Sequence, residues 1–172
     1  MVKDLCQMRE TITHELRRVR AYLVDMREPP DEIGSLGELV QQTVEPFASR
    51  TGIAIDTRVH GDVANLSGAV VRELAPVLRE ALTNVEKHAH ASRVSVSIWP
   101  EGRQLRLRVQ DNGVGIDRSG LPAGPPGERS GQGVYSMRER ARLLGGNLTL
   151  ERLASGGTAV TVSVPLPVPA AL

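Results

Sequence analysis

Three groups of residues in this 172-residue chain have types and spacings suited to chemistry. Asp111-Asn-Gly-Val-Gly-Ile116 sets a carboxylate at the end of an apolar, strand-like run and follows it with two glycines. An ionised carboxylate only accepts hydrogen bonds, and glycine lets a backbone approach without a side chain in the way. Together they suit recognition of a polar ligand. A second glycine pair, Gly131-Gln-Gly133, follows a Pro/Gly-rich interval. Upstream lies Glu80-Ala-Leu-Thr-Asn84, and then Lys87 and His88. Three-, four- and seven- to eight-residue spacings put Glu80, Asn84, Lys87 and His88 on one helical face. Such a polar stripe is either solvated or lines a site. Taken alone, Asp111-Asn-Gly reads more readily as a hairpin turn, and Glu80 and Asn84 as solvated helix polars.

Bulk properties bound the chain without explaining it. Its length allows one domain with a sizeable core and an appended helix. The net charge of +1 gives no strong electrostatic case for nucleic acid or a membrane surface. Lysine occurs only at Lys3 and Lys87, which singles out the second. One cysteine, Cys6, excludes an internal disulfide framework and a cysteine-based zinc site. No apolar run reaches the roughly 20 residues needed to cross a bilayer, and Met1-Val-Lys-Asp does not resemble a signal peptide. The expected location is cytoplasmic, with a membrane anchor possible in a longer protein.

The elements that must position these residues follow from periodicity. Leu5, Ile12, Val19 and Met26 recur every seven residues over 3–27, with Leu16 and Leu23 between them, so this long amphipathic helix needs a partner helix or a domain surface. Pro29-Pro30 ends it. Gly34-Ser35 opens a second helix, roughly 36–49, and Gly52 closes it before an alternating strand over 53–59. A turn is expected at His60-Gly61-Asp62. Ser67 caps a longer helix running to about Ala89, in which Pro76 should either make a kink or mark where the regular part begins. Strands over 93–99 and 104–109 alternate cleanly and form a hairpin. The interval 117–130 is a mobile loop by composition. Val134 to Leu144 forms a short helix ending at Gly145-Gly146. Strands over 147–152 and 158–164 pair through Ser155-Gly-Gly157, and a proline-rich tail frays. Antiparallel strands with interspersed helices predict a two-layer α+β sandwich. The glycines at 113 and 115 do not open a βαβ unit, which excludes a dinucleotide-binding Rossmann fold.

In combination these segments resemble the ATP-binding domain of sensor histidine kinases, whose Bergerat fold is shared with gyrase-type, chaperone and mismatch-repair ATPases. Glu80-Ala-Leu-Thr-Asn84-Val-Glu-Lys-His-Ala89 resembles the asparagine box, Asp111-Asn-Gly-Val-Gly-Ile116 the first glycine box, and Gly131-Gln-Gly-Val-Tyr-Ser-Met-Arg-Glu-Arg140 the second. Gly156-Gly-Thr158 matches the last short motif. The Met-Arg-Glu-Arg ending is similar to the subfamily that signals to response regulators with helix-turn-helix output domains. One Gly-x-Gly is weak evidence, whereas four boxes in order are specific. The resemblance covers roughly residues 33–166.

What the resemblance implies is a mixed, mostly antiparallel sheet, a bound ATP and Mg²⁺. Asp111 would accept a hydrogen bond from the adenine amino group, with Gly113, Gly115 and Ile116 beside the base. Asn84 would coordinate Mg²⁺ through its amide oxygen, and Glu80 would polarise the attacking group. Lys87 and His88 would reach the phosphates. Gly131, Gln132, Gly133 and Val134 would line the phosphate end, where a helix N-terminus favours anions. Thr158 would support the adenine end, and 117–130 would form the lid. Residues 1–30 would be the second helix of a dimerisation hairpin, ended by Asp25-Met-Arg-Glu-Pro-Pro30. The phospho-accepting histidine would then lie on a dimerisation helix absent from this chain, His14 being a superficial match. The full-length protein would be a homodimer. Pro76 interrupts a helix that is continuous in the family, and Val134 replaces a usual leucine. Two alternatives stay open: a nucleotide-binding regulatory or dimerisation module without phosphotransfer, and a serine kinase of the anti-sigma type.

Overall fold

The computed structural model describes residues 35–61, 66, 68–116 and 132–166. The chain divides into two units at residues 32 and 33, and all the described residues belong to the second. The expected helix over 3–27, the Ser67 cap, the 117–130 loop, Gly131 and the tail from 167 lie outside them.

The first helix, α1 (Leu36–Thr51), starts on a capping box. Ser35 Oγ accepts from the Glu38 amide at 3.2 Å, while Glu38 Oε2 accepts from the Ser35 amide at 3.0 Å. It ends at Gly52, whose left-handed φ of +70° lets its amide reach the Ala48 carbonyl. Pro46 sits inside this helix. Gln42 and Pro46 are both exposed, so the carbonyl that proline leaves unpaired faces water. Strand β1 (Ala54–Val59) leads to α2 (Gly68–Asn84), which buries Val70, Val71, Leu74, Ala75, Val77, Leu78, Ala81 and Leu82. Pro76 is accommodated as Pro46 is, because Arg72, four residues earlier, lies on the exposed side.

Regular α-geometry stops at Asn84. Val85–Ala89 forms one π-helical turn, ended by His90 in the left-handed region at φ +51°. The expected α-helix to Ala89 is therefore corrected in its last turn. A π turn bonds i to i+5 and adds a residue per turn, so the α-spacing that groups Glu80 with Asn84 does not carry through to Lys87 and His88.

Strands β2 (Arg93–Glu101) and β3 (Gln104–Asp111) form the expected hairpin, each slightly longer than its periodicity indicates. Then come α3 (Gln132–Leu143), β4 (Asn147–Arg152) and β5 (Thr158–Pro165). α3 begins two residues before the expected start. Its end at Gly145 is as expected, with the Gly145 and Gly146 amides turned back to Arg142 and Ala141. The sheet runs β1-β2-β3-β5-β4, with β1 parallel to β2 and the remaining neighbours antiparallel. Mixed pairing follows from the helix between β1 and β2, since a parallel pair needs a long crossover.

Alternation then decides where the core lies. Val94, Val96 and Ile98 on β2, Leu105, Leu107 and Val109 on β3, and Val160, Val162 and Val164 on β5 are all buried. They meet the apolar faces of the helices in one core cluster that includes Leu36, Phe47, Leu74, Leu78, Leu82 and Met137. The opposite face of the sheet carries Ser95, Ser97, Arg106, Arg108, Thr161 and Ser163, paired across the strands. One apolar and one polar face, with helices against the apolar one, give the two-layer sandwich.

Candidate functional site

The period-two rule that buries Leu105, Leu107 and Val109 also turns Asp111 toward the helix layer. Its residue is only 5% exposed. A carboxylate in that position needs hydrogen-bond donors, and the chain supplies one locally. Asp111 Oδ1 accepts from the Gly113 amide at 2.8 Å, a bond between residues two apart that bends the chain off the strand. Carboxylates have room for about four acceptor bonds, so Asp111 keeps acceptor capacity for a ligand donor.

Around Asp111 the backbone is packed closely enough to exclude side chains. A Cβ at Gly113 would stand 2.0 Å from the Ala89 carbonyl oxygen. That carbonyl, at the end of the π turn, accepts from the Val114 amide at 2.8 Å. Gly157, just before β5, meets Asp111 in the same way, and a Cβ there would lie 2.0 Å from the Asp111 carbonyl oxygen. Gly115 adopts φ +77° beside the Gly157 carbonyl. Four further bonds hold this loop. The Ile116 amide donates to Thr158 Oγ1 at 2.9 Å. Asn112 Oδ1 accepts from the Ser92 and Arg93 amides at 3.0 and 2.9 Å, and its Nδ2 donates to Ser92 Oγ at 3.0 Å.

The helix-borne residues lie on α2 and on the π turn that ends at Ala89. Glu80 and Asn84 are one α-turn apart on α2 and half-buried, and Lys87 and His88 are exposed on the π turn. The next element is tied down from α1, where Arg50 Nη2 and Nε meet the two carboxylate oxygens of Glu86 at 2.8 and 3.3 Å. The Arg50 hydrogen bond holds the Glu86 carboxyl below the usual carboxylate range. Gly133 and Val134 lie in the first turn of α3, with Gly133 against the Glu80 carboxylate.

The structure thus brings Asp111, Gly113, Gly115, Ile116 and Thr158 into one cluster, joined to the end of the π turn through the Ala89 carbonyl. Glu80 meets Gly133 in a second cluster. Gly131 and the Gln132 side chain lie outside the described residues. The sequence reading missed Asn112, Ser92, Gly157 and the Ala89 carbonyl as parts of the site. Asn112 carried no local signal, because the amides it accepts from, those of Ser92 and Arg93, lie 20 and 19 positions earlier. The Ala89 carbonyl carried none.

Comparison with known proteins places this arrangement. The profile of the histidine kinase-, DNA gyrase B- and HSP90-like ATPase family matches residues 69–168, more than half of the chain. The signal transduction histidine-protein kinase/phosphatase DegS of Brevibacillus brevis is 29% identical over 166 residues, covering 96% of this chain and 41% of that protein. The sensor histidine kinase MctS of Rhizobium johnstonii is 33% identical over 157 residues, covering 91% of this chain and 33% of that protein. This chain therefore spans well under half the length of either relative. Among solved structures, the histidine kinase domain of the Erythrobacter litoralis EL346 blue-light activated histidine kinase is similar at a TM-score of 0.63 and 25% identity, covering 79% of this chain and 63% of that domain. No helix among the described residues is long and apolar enough to cross a membrane. With its Asp111 glycine loop and its Glu80–Asn84 helix, the chain belongs to the histidine kinase-, DNA gyrase B- and HSP90-like ATPase family, a family of ATP-binding domains.

Proposed function

We propose that residues 33–166 are the catalytic, ATP-binding domain of a sensor histidine kinase, transferring the γ-phosphoryl group to a histidine on a separate dimerisation helix. The observation that carries this reading is Asp111, a buried carboxylate at a strand end, bonded to one backbone amide and walled by glycines. It suits the adenine amino group, and an acceptor there disfavours guanine, which offers another acceptor. Four named kinase boxes in order, and kinase relatives spanning nearly the whole chain, support the same assignment.

Roles follow from position. Asp111 holds adenine; Gly113, Gly115, Ile116 and Thr158 form the loop beside the base. Glu80 polarises the attacking histidine. Lys87 and His88, exposed on the π turn, reach toward phosphate charge, with Gln132, Gly133 and Val134 at the start of α3 and Gly131 preceding them in sequence. Mg²⁺ fits as a shared ion. No group of three or more His, Cys, Asp or Glu among the described residues could hold a metal alone. A hard cation takes oxygen ligands and shares phosphates, so Asn84 would supply one amide oxygen. Phosphoryl transfer needs chiefly positioning and charge neutralisation. Residues 117–130 would act as the lid. Residues 1–30 would be the second helix of the dimerisation hairpin of a homodimer, and a response regulator with a helix-turn-helix output domain would receive the phosphoryl group.

The test is transfer itself. The chain is incubated with labelled ATP, Mg²⁺ and a histidine-bearing dimerisation fragment from the same gene. Acid-labile, base-stable label on the fragment supports the proposal. Tight ATP binding without transfer favours a regulatory module, and acid-stable label on a partner's serine favours an anti-sigma-type kinase. Asp111→Asn removes a charged acceptor contributing roughly 1.5–3 kcal/mol, about 10- to 100-fold in nucleotide affinity. Unchanged affinity would sink the adenine assignment.

A further inference from the structure

α2 and α3 touch at two points that are seven residues apart on each helix. Glu73 on α2 pairs with Arg140 on α3 at 3.0 Å, with side chains 24% and 15% exposed. Seven residues further along α2 stands Glu80, and seven residues back along α3 stands Gly133. A Cβ at Gly133 would lie 1.9 Å from Glu80 Oε1 and 2.8 Å from Glu80 Cδ. One index rises as the other falls, so the helices run antiparallel. Between the two contacts lie Val77 and Met137, each 1% exposed. Seven residues advance a helix by about 10.5 Å, so an ion pair and a glycine contact bracket a buried apolar patch about two turns long.

We propose that Gly133 is a positioning residue for Glu80: the missing side chain at 133 leaves the space in which the Glu80 carboxylate rests against the first turn of α3. This rests on the reading of Glu80 as the group that polarises the attacking histidine, and it gives Gly133 a task beyond lining the phosphate end. The Glu73–Arg140 pair fixes the register of the two helices and so keeps Gly133 opposite Glu80. A methyl group at 133 would not break the fold, because the atoms it meets are the far end of a flexible side chain. It would turn the carboxylate elsewhere.

The experiment compares Gly133→Ala in two backgrounds, using the full chain with the histidine-bearing fragment. At saturating ATP, phosphotransfer by the otherwise native chain should fall about 10²-fold, as for loss of a positioned acid–base group. In a Glu80→Ala background the same substitution should lower the saturated rate far less, because the group it displaces is already gone. A second readout follows the Glu80 side-chain carboxyl by ¹³C NMR, assigned by its disappearance in Glu80→Gln. Gly133→Ala should move that resonance. An unmoved Glu80 resonance overturns the proposal, as does an equal fall in saturated phosphotransfer in both backgrounds. If the native chain binds ATP but transfers nothing to histidine, the kinase reading fails, and the resonance alone then decides the placement of Glu80.

Discussion

The Thr158 hydroxyl accepts a hydrogen bond from the Ile116 amide at 2.9 Å, joining the end of the first glycine loop to the start of β5. The two residues are 42 positions apart. This bond ties down the loop after it leaves Asp111, and it gives the hydroxyl at 158 a task in the proposed nucleotide site that requires no contact with the base. Thr158→Val keeps the shape and removes the acceptor. It should cost about 1 kcal/mol of local loop stability and weaken ATP binding about fivefold, with the melting curve little changed. Thr158→Ser should bind as the native chain does. Equal losses in both variants would show that packing, not the hydroxyl, matters there.

Asn84 ends α2, one turn beyond Glu80, where the chain passes into its π turn. If its amide oxygen completes an ion held chiefly by phosphates, Asn84→Ala should bind ATP without Mg²⁺ as the native chain does. It should gain little on adding the ion. Titrating nucleotide affinity against Mg²⁺ concentration checks this, and a retained magnesium dependence would assign the ion elsewhere.

Asn112 anchors the same loop to β2 through both Ser92 and Arg93 amides. Asn112→Ala leaves these amides to water, because the bonds lie at the surface, so the expected loss is about 1 kcal/mol rather than the cost of burial. For a domain of this size that lowers the melting temperature by roughly 3–6 °C. ATP affinity should fall as well, since the anchored loop carries Asp111 on one side and Gly113 on the other. Calorimetry and nucleotide titration on one sample measure both effects.

Much of this architecture is legible because two periodicities are strong. Strand alternation locates the core positions of β2 and β3, and it places Asp111 on the buried side by simple continuation from Leu105, Leu107 and Val109. Ser35, Gly52 and Gly145 mark helix ends through local chemistry. The π turn is not legible, because its cause is distant: the Ala89 carbonyl meets Val114, 25 positions later, and Gly113 leaves it room. Apolar spacing cannot register such a contact. The opposition of Glu80 and Gly133 is hidden for the same reason, as it depends on how α2 and α3 pack. Pro46 and Pro76 mislead if taken as breaks, since local rules do not reveal that the carbonyls they free face solvent.

The Arg50–Glu86 pair ties α1 to the π turn at the protein surface, so its effect should be small and conditional. The Arg50 hydrogen bond lowers the folded-state value of Glu86 below its ordinary 4.5. A lowered carboxylate contributes stability that is present above the unfolded value and lost as pH falls through the folded one. The melting-temperature difference between the native chain and Glu86→Gln should therefore be greatest above pH 4.5 in low salt. It should fade as pH drops below that value and as salt is added. A difference that persists in acid would point to packing instead.

Gly156 and Gly157 offer a controlled comparison, because both adopt φ +89° and differ in what surrounds them. Alanine at either position meets the same left-handed strain, about 1–2 kcal/mol. At Gly156 the added Cβ would stand 3.5 Å from the Gly113 carbonyl oxygen, an ordinary contact. At Gly157 it would stand 2.0 Å from the Asp111 carbonyl oxygen and 2.7 Å from its carbon, and backbone cannot turn aside as a side chain can. Gly156→Ala should thus lower stability by the strain alone and leave ATP affinity within about threefold. Gly157→Ala must also push the chain before β5 away from Asp111, the proposed adenine acceptor, so its ATP affinity should fall by at least about tenfold. The difference between the two variants isolates the close approach from the strain. Should they lose affinity equally, the backbone beside Asp111 is not what holds the base.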